Sequence, residues 1–309
     1  MKIAVVGSYG VGLTMRVPKA PAAGETVSDG AFAEGPGGKG SNQAIGAARL
    51  GADVAFLTAV GDDAYGHAAR ALWEAEGVDA GQVVTGRGPT MVGFILVEPS
   101  GENRIAIAPG ALDELTAESV AAFRPAIAAA DVLVVSMEIP ADAVSAALRI
   151  GREEGTTTLL NPAPARPLAD ADWPLIDVLT PNQTEAPVLL GLAEGHGLGD
   201  ADLVAALRAR TGGSVVLTRG GAGALVADAA DQDGAPQVVP ARRAARVVDT
   251  TGAGDSFTAA LATALAGGQR LTTAVGFAAA AGAHTVSVAG VIPALPTREH
   301  LKTEIGTPR

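Results

Sequence analysis

The sequence predicts an α/β protein with a largely parallel sheet covered by helices on both faces. Short β-type apolar runs alternate with helical stretches that often close on glycine. Hydrophobic residues make up 48% of 309 residues, ample for a large buried core. Two stretches break the alternation and form no βα unit, which predicts a smaller β layer beside the main sheet.

The elements can be read in order. KIAVVGS opens the chain as a strand, and GSYGVGLTM follows it. ETVSDGAFAEGPGG, from Glu25, is extended and leads into a Gly-rich turn and the helical SNQAIGAARLG. DVAFLTAV is a strand and DAYGHAARALWEAEG a helix. From Thr90, TMVGFILVEPSGENRIAIAPGA has two alternating apolar runs around PSGEN, the pattern of a hairpin. DVLVVSM, TTLLNP, DVLTPN and SVVLTRG are further strands, interleaved with the helices ADAVSAALRIGREEG and DLVAALRARTGG. SFTAALATALAGG is a small-residue helix stopped by Gly267 and Gly268, and an Ala-rich buried helix follows from Ala274. Residues 1–309 therefore read as one domain, with segments of about 13–35 and 89–109 as a small β lid.

Composition removes several function classes. The net charge is −11 and aromatics are 3%, with Lys and Arg scattered singly, so no nucleic-acid surface is expected. The longest apolar stretch is broken by Gly, His and Pro, so no membrane span is expected. No secretory pattern is read at Met1, and there are no cysteines, so a cytoplasmic protein is the simpler expectation. Any metal would need oxygen or histidine ligands, and the four histidines show no paired spacing.

Several motifs carry chemistry. In DTTGAGDSF, Thr251 to Gly254 form a loop that feeds a helix N-terminus, where unpaired amides and the helix dipole can hold an anion. Asp255 is either a favourable first-turn charge or a base beside developing negative charge. GPGGKGSNQA places four glycines, Lys39 and Asn42 at a helix start without the spacing of a Walker loop. In TPNQTEA, Asn182 and Glu185 share one helical face, and a capping pair is the competing reading. LTRGGAG reads equally as a hairpin turn or a nucleotide contact, and Glu138 sits at the carboxyl end of a strand, the ligand edge of such a sheet.

The order of GGKGSNQA, NPAPAR, TPNQTEA and DTTGAGDSF on an α/β chain of this length resembles the PfkB carbohydrate kinases, their ribokinase branch in particular, over nearly the whole chain. That resemblance implies a ribokinase-like three-layer sandwich with a β lid, and an ATP-dependent kinase that phosphorylates a primary hydroxyl of a sugar. It implies that Asp255 accepts the proton of the attacking hydroxyl while Gly252, Ala253 and Gly254 form the anion hole. Gly38, Lys39, Asn42 and Glu138 would bind the sugar. Asn182 and Glu185 would order water and Mg²⁺ near the ATP phosphates, and Thr218, Gly220, Gly221 and Gly223 would meet the nucleotide. Asp249 and Thr251 resemble a site for a monovalent cation, K⁺ as activator.

One departure bears on the substrate. Where members of the branch carry Asn-x-Asp after the first strand, this chain has Gly10 and Gly12, so two sugar-reading side chains are missing and the glycines are expected to leave space. Ribose remains the leading substrate. The rival enzyme is a nucleoside kinase of the same family, and the rival from another class is a protein that senses a sugar or nucleotide without turnover. A homodimer meeting through the lid strands is also expected.

Overall fold

The structure is a computed structural model that describes residues 1–100, 102–231, 235–244 and 246–305. Its main sheet has nine strands in the order Gln237–Val239, Ala224–Ala227, Ser214–Thr218, Val178–Leu179, Thr157–Asn161, Val132–Ser136, Lys2–Val6, Asp53–Leu57 and Val78–Asp79. Neighbours run parallel from Val78–Asp79 across to Ser214–Thr218, and the last two strands add on antiparallel.

Both faces are covered, and the residue alternation shows how. In KIAVV, Ile3 and Val5 enter one core with Phe56, Val134 and the helices Lys39–Arg49, Ala253–Ala266 and Leu271–Thr285. Ala4 and Val6 enter the other, with Leu57, Leu133 and the helix Ala141–Glu154. A strand buried on both sides must be apolar at every position, hence the unbroken apolar runs. The Lys39–Arg49 and Ala253–Ala266 helices approach closely because both present small residues. A Cβ on Gly46 would stand 2.8 Å from that of Ala259, so this crossing requires glycine.

A second sheet has four strands in the order Ala31–Gly37, Gly10–Arg16, Val92–Val97 and Asn103–Ala108. Gly10–Arg16 pairs antiparallel with Ala31–Gly37 and parallel with Val92–Val97, which forms a hairpin with Asn103–Ala108. Gly101, in the PSGEN turn, lies outside the described residues. The chain leaves the carboxyl end of Lys2–Val6 and enters this sheet within a few residues, so a cleft forms where the two sheets meet. Among the described residues no helix is long and apolar enough to cross a membrane.

Two helix starts differ from the sequence reading. The helix after the Gly-rich segment begins at Lys39, not Ser41, because Gly37 ends a strand and Gly38 alone makes the turn at φ +88. The later helix begins at Ala253: Gly252, at φ +78, closes the loop, so Gly254 and Asp255 belong to the first helical turn.

Candidate active site

Asp255 is 8% exposed at the third position of its helix. Asn42 Nδ2 donates to Asp255 Oδ2 at 2.8 Å, and Gln43 Nε2 donates to Oδ1 at 3.2 Å. Gln43 Nε2 also donates to Asn161 Oδ1 at 3.0 Å, and Asn161 Nδ2 donates to the Thr180 carbonyl at 3.3 Å. The carboxylate is thus oriented by an amide relay reaching into the main sheet. Burial raises the pKa of Asp255; the Lys39 charge and the two amide donors oppose that rise. A carboxylate so raised, at a helix N-terminus, is suited to accept a proton.

Lys39 links this acid to the next. Burial pulls the pKa of its ammonium down, but Asp255, Glu138 and Glu185 outweigh burial and the net shift is upward. A single cation therefore serves three carboxylates. Glu138 Oε2 accepts from Ser8 Oγ at 2.5 Å and from the Lys39 amide at 3.2 Å. Its backbone is clamped on both sides: Arg166 Nη1 donates to the Met137 carbonyl and Nη2 to the Ile139 carbonyl at 2.8 Å. Burial lowers the pKa of the Arg166 guanidinium.

A cavity of about 320 Å³ opens in front of Asp255, lined by Lys39, Asn182, Glu185, Thr218, Thr251, Gly252 and Gly254 among others. Asn182 and Glu185 make the reciprocal hydrogen bonds of the capping reading, although the helix Glu185–Leu189 has Thr184 at its N-cap. Glu185 Oε2 accepts from the Asn182 amide at 2.8 Å, and Asn182 Oδ1 accepts from the Thr184 and Glu185 amides, each at 2.8 Å. The same pair nevertheless lines the cavity, and burial raises the pKa of Glu185. LTRGGAG makes the hairpin between Ser214–Thr218 and Ala224–Ala227; Gly220, Gly221 and Gly223 form its turn, outside the cavity lining. Asp249 also lies outside that lining. Its Oδ1 accepts from the Thr251 amide at 2.9 Å and its Oδ2 from the Gly290 amide at 3.2 Å.

The structure brings Gly38, Lys39, Asn42, Glu138 and the Gly252–Asp255 turn together from segments more than 200 residues apart. Gly38 is fixed by sterics, since a Cβ there would lie 2.5 Å from Tyr9 Cα. Gly12 leaves room for a Cβ, which would make ordinary contacts with Ile95 Cδ1 at 3.6 Å and the Gly35 carbonyl oxygen at 3.8 Å. Gly10 does not, and that expectation is corrected: a Cβ at Gly10 would meet Met91 Cε at 2.4 Å, because the methionine fills the hollow. Sequence reasoning missed Ser8, Gln43, Asn161 and Arg166. Ser8 lies in GSYGVGLTM, Gln43 in GGKGSNQA and both Asn161 and Arg166 in NPAPAR, but nothing in their spacing signalled contacts with residues so distant in the chain.

The fold and cleft define an α/β protein able to grip an anion at a helix N-terminus beside a buried acid. The model of the pfkB family carbohydrate kinases matches residues 1–298, and the chain belongs to that family. It is 37% identical over 308 residues to a ribokinase of Schizosaccharomyces pombe, covering 96% of this chain and 95% of that one. It is 35% identical over 305 residues to a ribokinase of Bacillus subtilis, covering 97% and 98%. Among solved structures, an Arabidopsis thaliana ribokinase complexed with ribose and ATP superposes with a TM-score of 0.90 at 28% identity, covering 99% of both chains.

Proposed function

We propose that this chain is an ATP-dependent carbohydrate kinase that transfers a γ-phosphoryl group to a primary hydroxyl of a sugar or sugar-like alcohol. The observation that carries the reading is Asp255, buried and held by two amide donors in the first turn of a helix whose N-terminal end lines the cleft. Asp255 takes the hydroxyl proton as the acceptor oxygen bonds to phosphorus and the bond to the departing ADP oxygen breaks. The amides of Gly252, Ala253 and Gly254 stabilise the negative charge that spreads over the transferring group. The Lys39 charge is attracted by those of Asp255 and Glu138, and Glu138 with Asn42 receives the acceptor's hydroxyls. Asn42 Oδ1 and Gln43 Oε1 are buried without a partner, which suits a site awaiting a hydroxyl donor.

Among the described residues no cluster of three or more His, Asp or Glu could hold a metal by itself. Glu185 alone in the cleft fits a Mg²⁺ carried by the nucleotide phosphates and reached through water, where the ion would offset phosphate charge. Asp249 and Thr251 are the residues that would hold an activating K⁺, beside the main chain at Gly290. Phe32, Phe94, Ile105 and Ile107 are exposed on the second sheet, which supports a lid over the acceptor and a homodimer through these strands. A cytoplasmic setting suits a chain that uses ATP.

The test is an ADP-release screen over pentoses, hexoses, polyols and nucleosides, with and without Mg²⁺ and K⁺, using Asp255→Asn as the blank. Turnover above the blank is expected with at least one acceptor and only with Mg²⁺. Wild type matching the blank throughout would overturn the reading.

A further inference from the structure

We propose that the acceptor is poor in hydroxyls, or apolar, at the end remote from the reacting hydroxyl, and that Met91 packed into the hollow of Gly10 sets this preference. The inference rests on the carbohydrate-kinase reading and narrows its substrate.

An acceptor whose hydroxyl meets Asp255 extends past Lys39 to Glu138. Beyond Glu138 lies a second cavity, of about 290 Å³, walled by Met91, Ile107, Leu112, Ile139 and Pro164. Three charged side chains border it. Glu138 accepts from Ser8 and the Lys39 amide through Oε2, which leaves Oε1 for a hydroxyl at the near end of the acceptor; Arg166 is committed to two main-chain carbonyls, and Asp113 stands exposed at the rim. The second sheet adds no polar side chain on the cross-strand row of Gly12. Gly12 is in register with Gly35 on one side and Gly93 on the other, and Gly93 with Ile107. Residues alternate along strands, so Gly10 and Gly12 share one face. At Gly10 the side-chain position is taken by the Met91 thioether, whose Cε would lie 2.4 Å from a Cβ and whose carbonyl oxygen 2.9 Å. At Gly12 the nearest atom to an added Cβ is Ile95 Cδ1 at 3.6 Å, so a short side chain fits there but none is present.

A sugar hydroxyl placed against the apolar part of this wall, at Met91, Ile107, Leu112, Ile139 and Pro164, gives up its bonds to water and meets no side-chain partner there. Each such hydroxyl lowers affinity about ten- to a hundredfold, whereas a methylene or methyl group at the same place gains from leaving water.

The experiment measures kcat/KM for acceptor pairs that differ only at the remote end: ribose against 2-deoxyribose, and ribose against its methyl glycoside. The wild type is expected to favour the less hydroxylated or methylated member of at least one pair about tenfold or more. Gly12→Asp, which places a carboxylate where a Cβ meets no close contact, is expected to shift that ratio toward ribose about tenfold with KM for ATP unchanged. Met91→Ser is expected to shift it the same way, while Met91→Leu retains it; melting curves establish that each variant is folded. Ribose equal to or better than both alternatives, or ratios unmoved in both polar variants, would overturn the inference and leave the kinase reading standing. No turnover of any acceptor in the full panel, by contrast, would overturn that reading and the inference with it.

Discussion

Replacing Asp255 with asparagine separates catalysis from folding, because the side chain keeps its shape and loses its basicity. A positioned general base contributes about 10²- to 10⁴-fold, or roughly 3–5 kcal/mol of transition-state stabilisation at about 1.4 kcal/mol per decade. Stability follows a different sum. The carboxylate accepts from Asn42 at 2.8 Å and Gln43 at 3.2 Å, and its amide replacement has only one oxygen to accept with. Asn42 Oδ1 and Gln43 Oε1 are both buried and unpartnered, so one of these side chains can turn over and accept from the new NH₂ group. The native carboxyl has a raised pKa, so the stability its neutral form contributes is present at low pH and lost as pH rises through the folded value. Asparagine removes the buried charge that costs stability above that value. The expected result at neutral pH is kcat lower by about 10²- to 10⁴-fold with a melting temperature within about 3 °C of wild type. Single-turnover ADP release and calorimetry measure the two. A kcat loss of less than about tenfold, or a loss that tracks unfolding, would refute the assignment of Asp255 as base.

Other perturbations follow from the same geometry. Arg166→Met removes the clamp on both carbonyls flanking Glu138, so kcat/KM for the acceptor should fall about tenfold while KM for ATP stays constant; equal effects on both substrates would show that Arg166 does not act through Glu138. Gly38→Ala must place a Cβ 2.5 Å from Tyr9 Cα at a φ of +88, and main chain cannot retreat as a side chain can. A side chain in this positive-φ backbone alone costs about 1–3 kcal/mol, so thermal unfolding should occur several degrees lower. In the pH profile, the acid limb of kcat should lie above the ordinary aspartate range, because burial raises Asp255 and only its ionised form accepts a proton. Lys39→Met removes a charge that holds Asp255 down and should move that limb to still higher pH; a shift to lower pH would contradict the coupling.

The sequence by itself determined the layers. Apolar runs such as KIAVV and DVLVVS are strands buried on both faces, and glycine stops at Gly155 and Gly212 close helices with a left-handed residue, information that lies within a few neighbours. It also carried the signal of Asp255 in the first turn of a small-residue helix, since the anion-holding capacity of a helix start is local. Only the tertiary structure decided which distant groups meet: Gln43 on Asp255 from 212 residues away, and Ser8 on Glu138 from 130. Pattern alone also could not decide whether Asn182 and Glu185 cap a helix or face the cleft, and they do both. The hollow expected at Gly10 was closed by Met91, the residue just before the strand Val92–Val97. Periodicity reports the face a side chain turns toward, whereas the occupancy of that space depends on packing between segments remote in sequence, which no local pattern records.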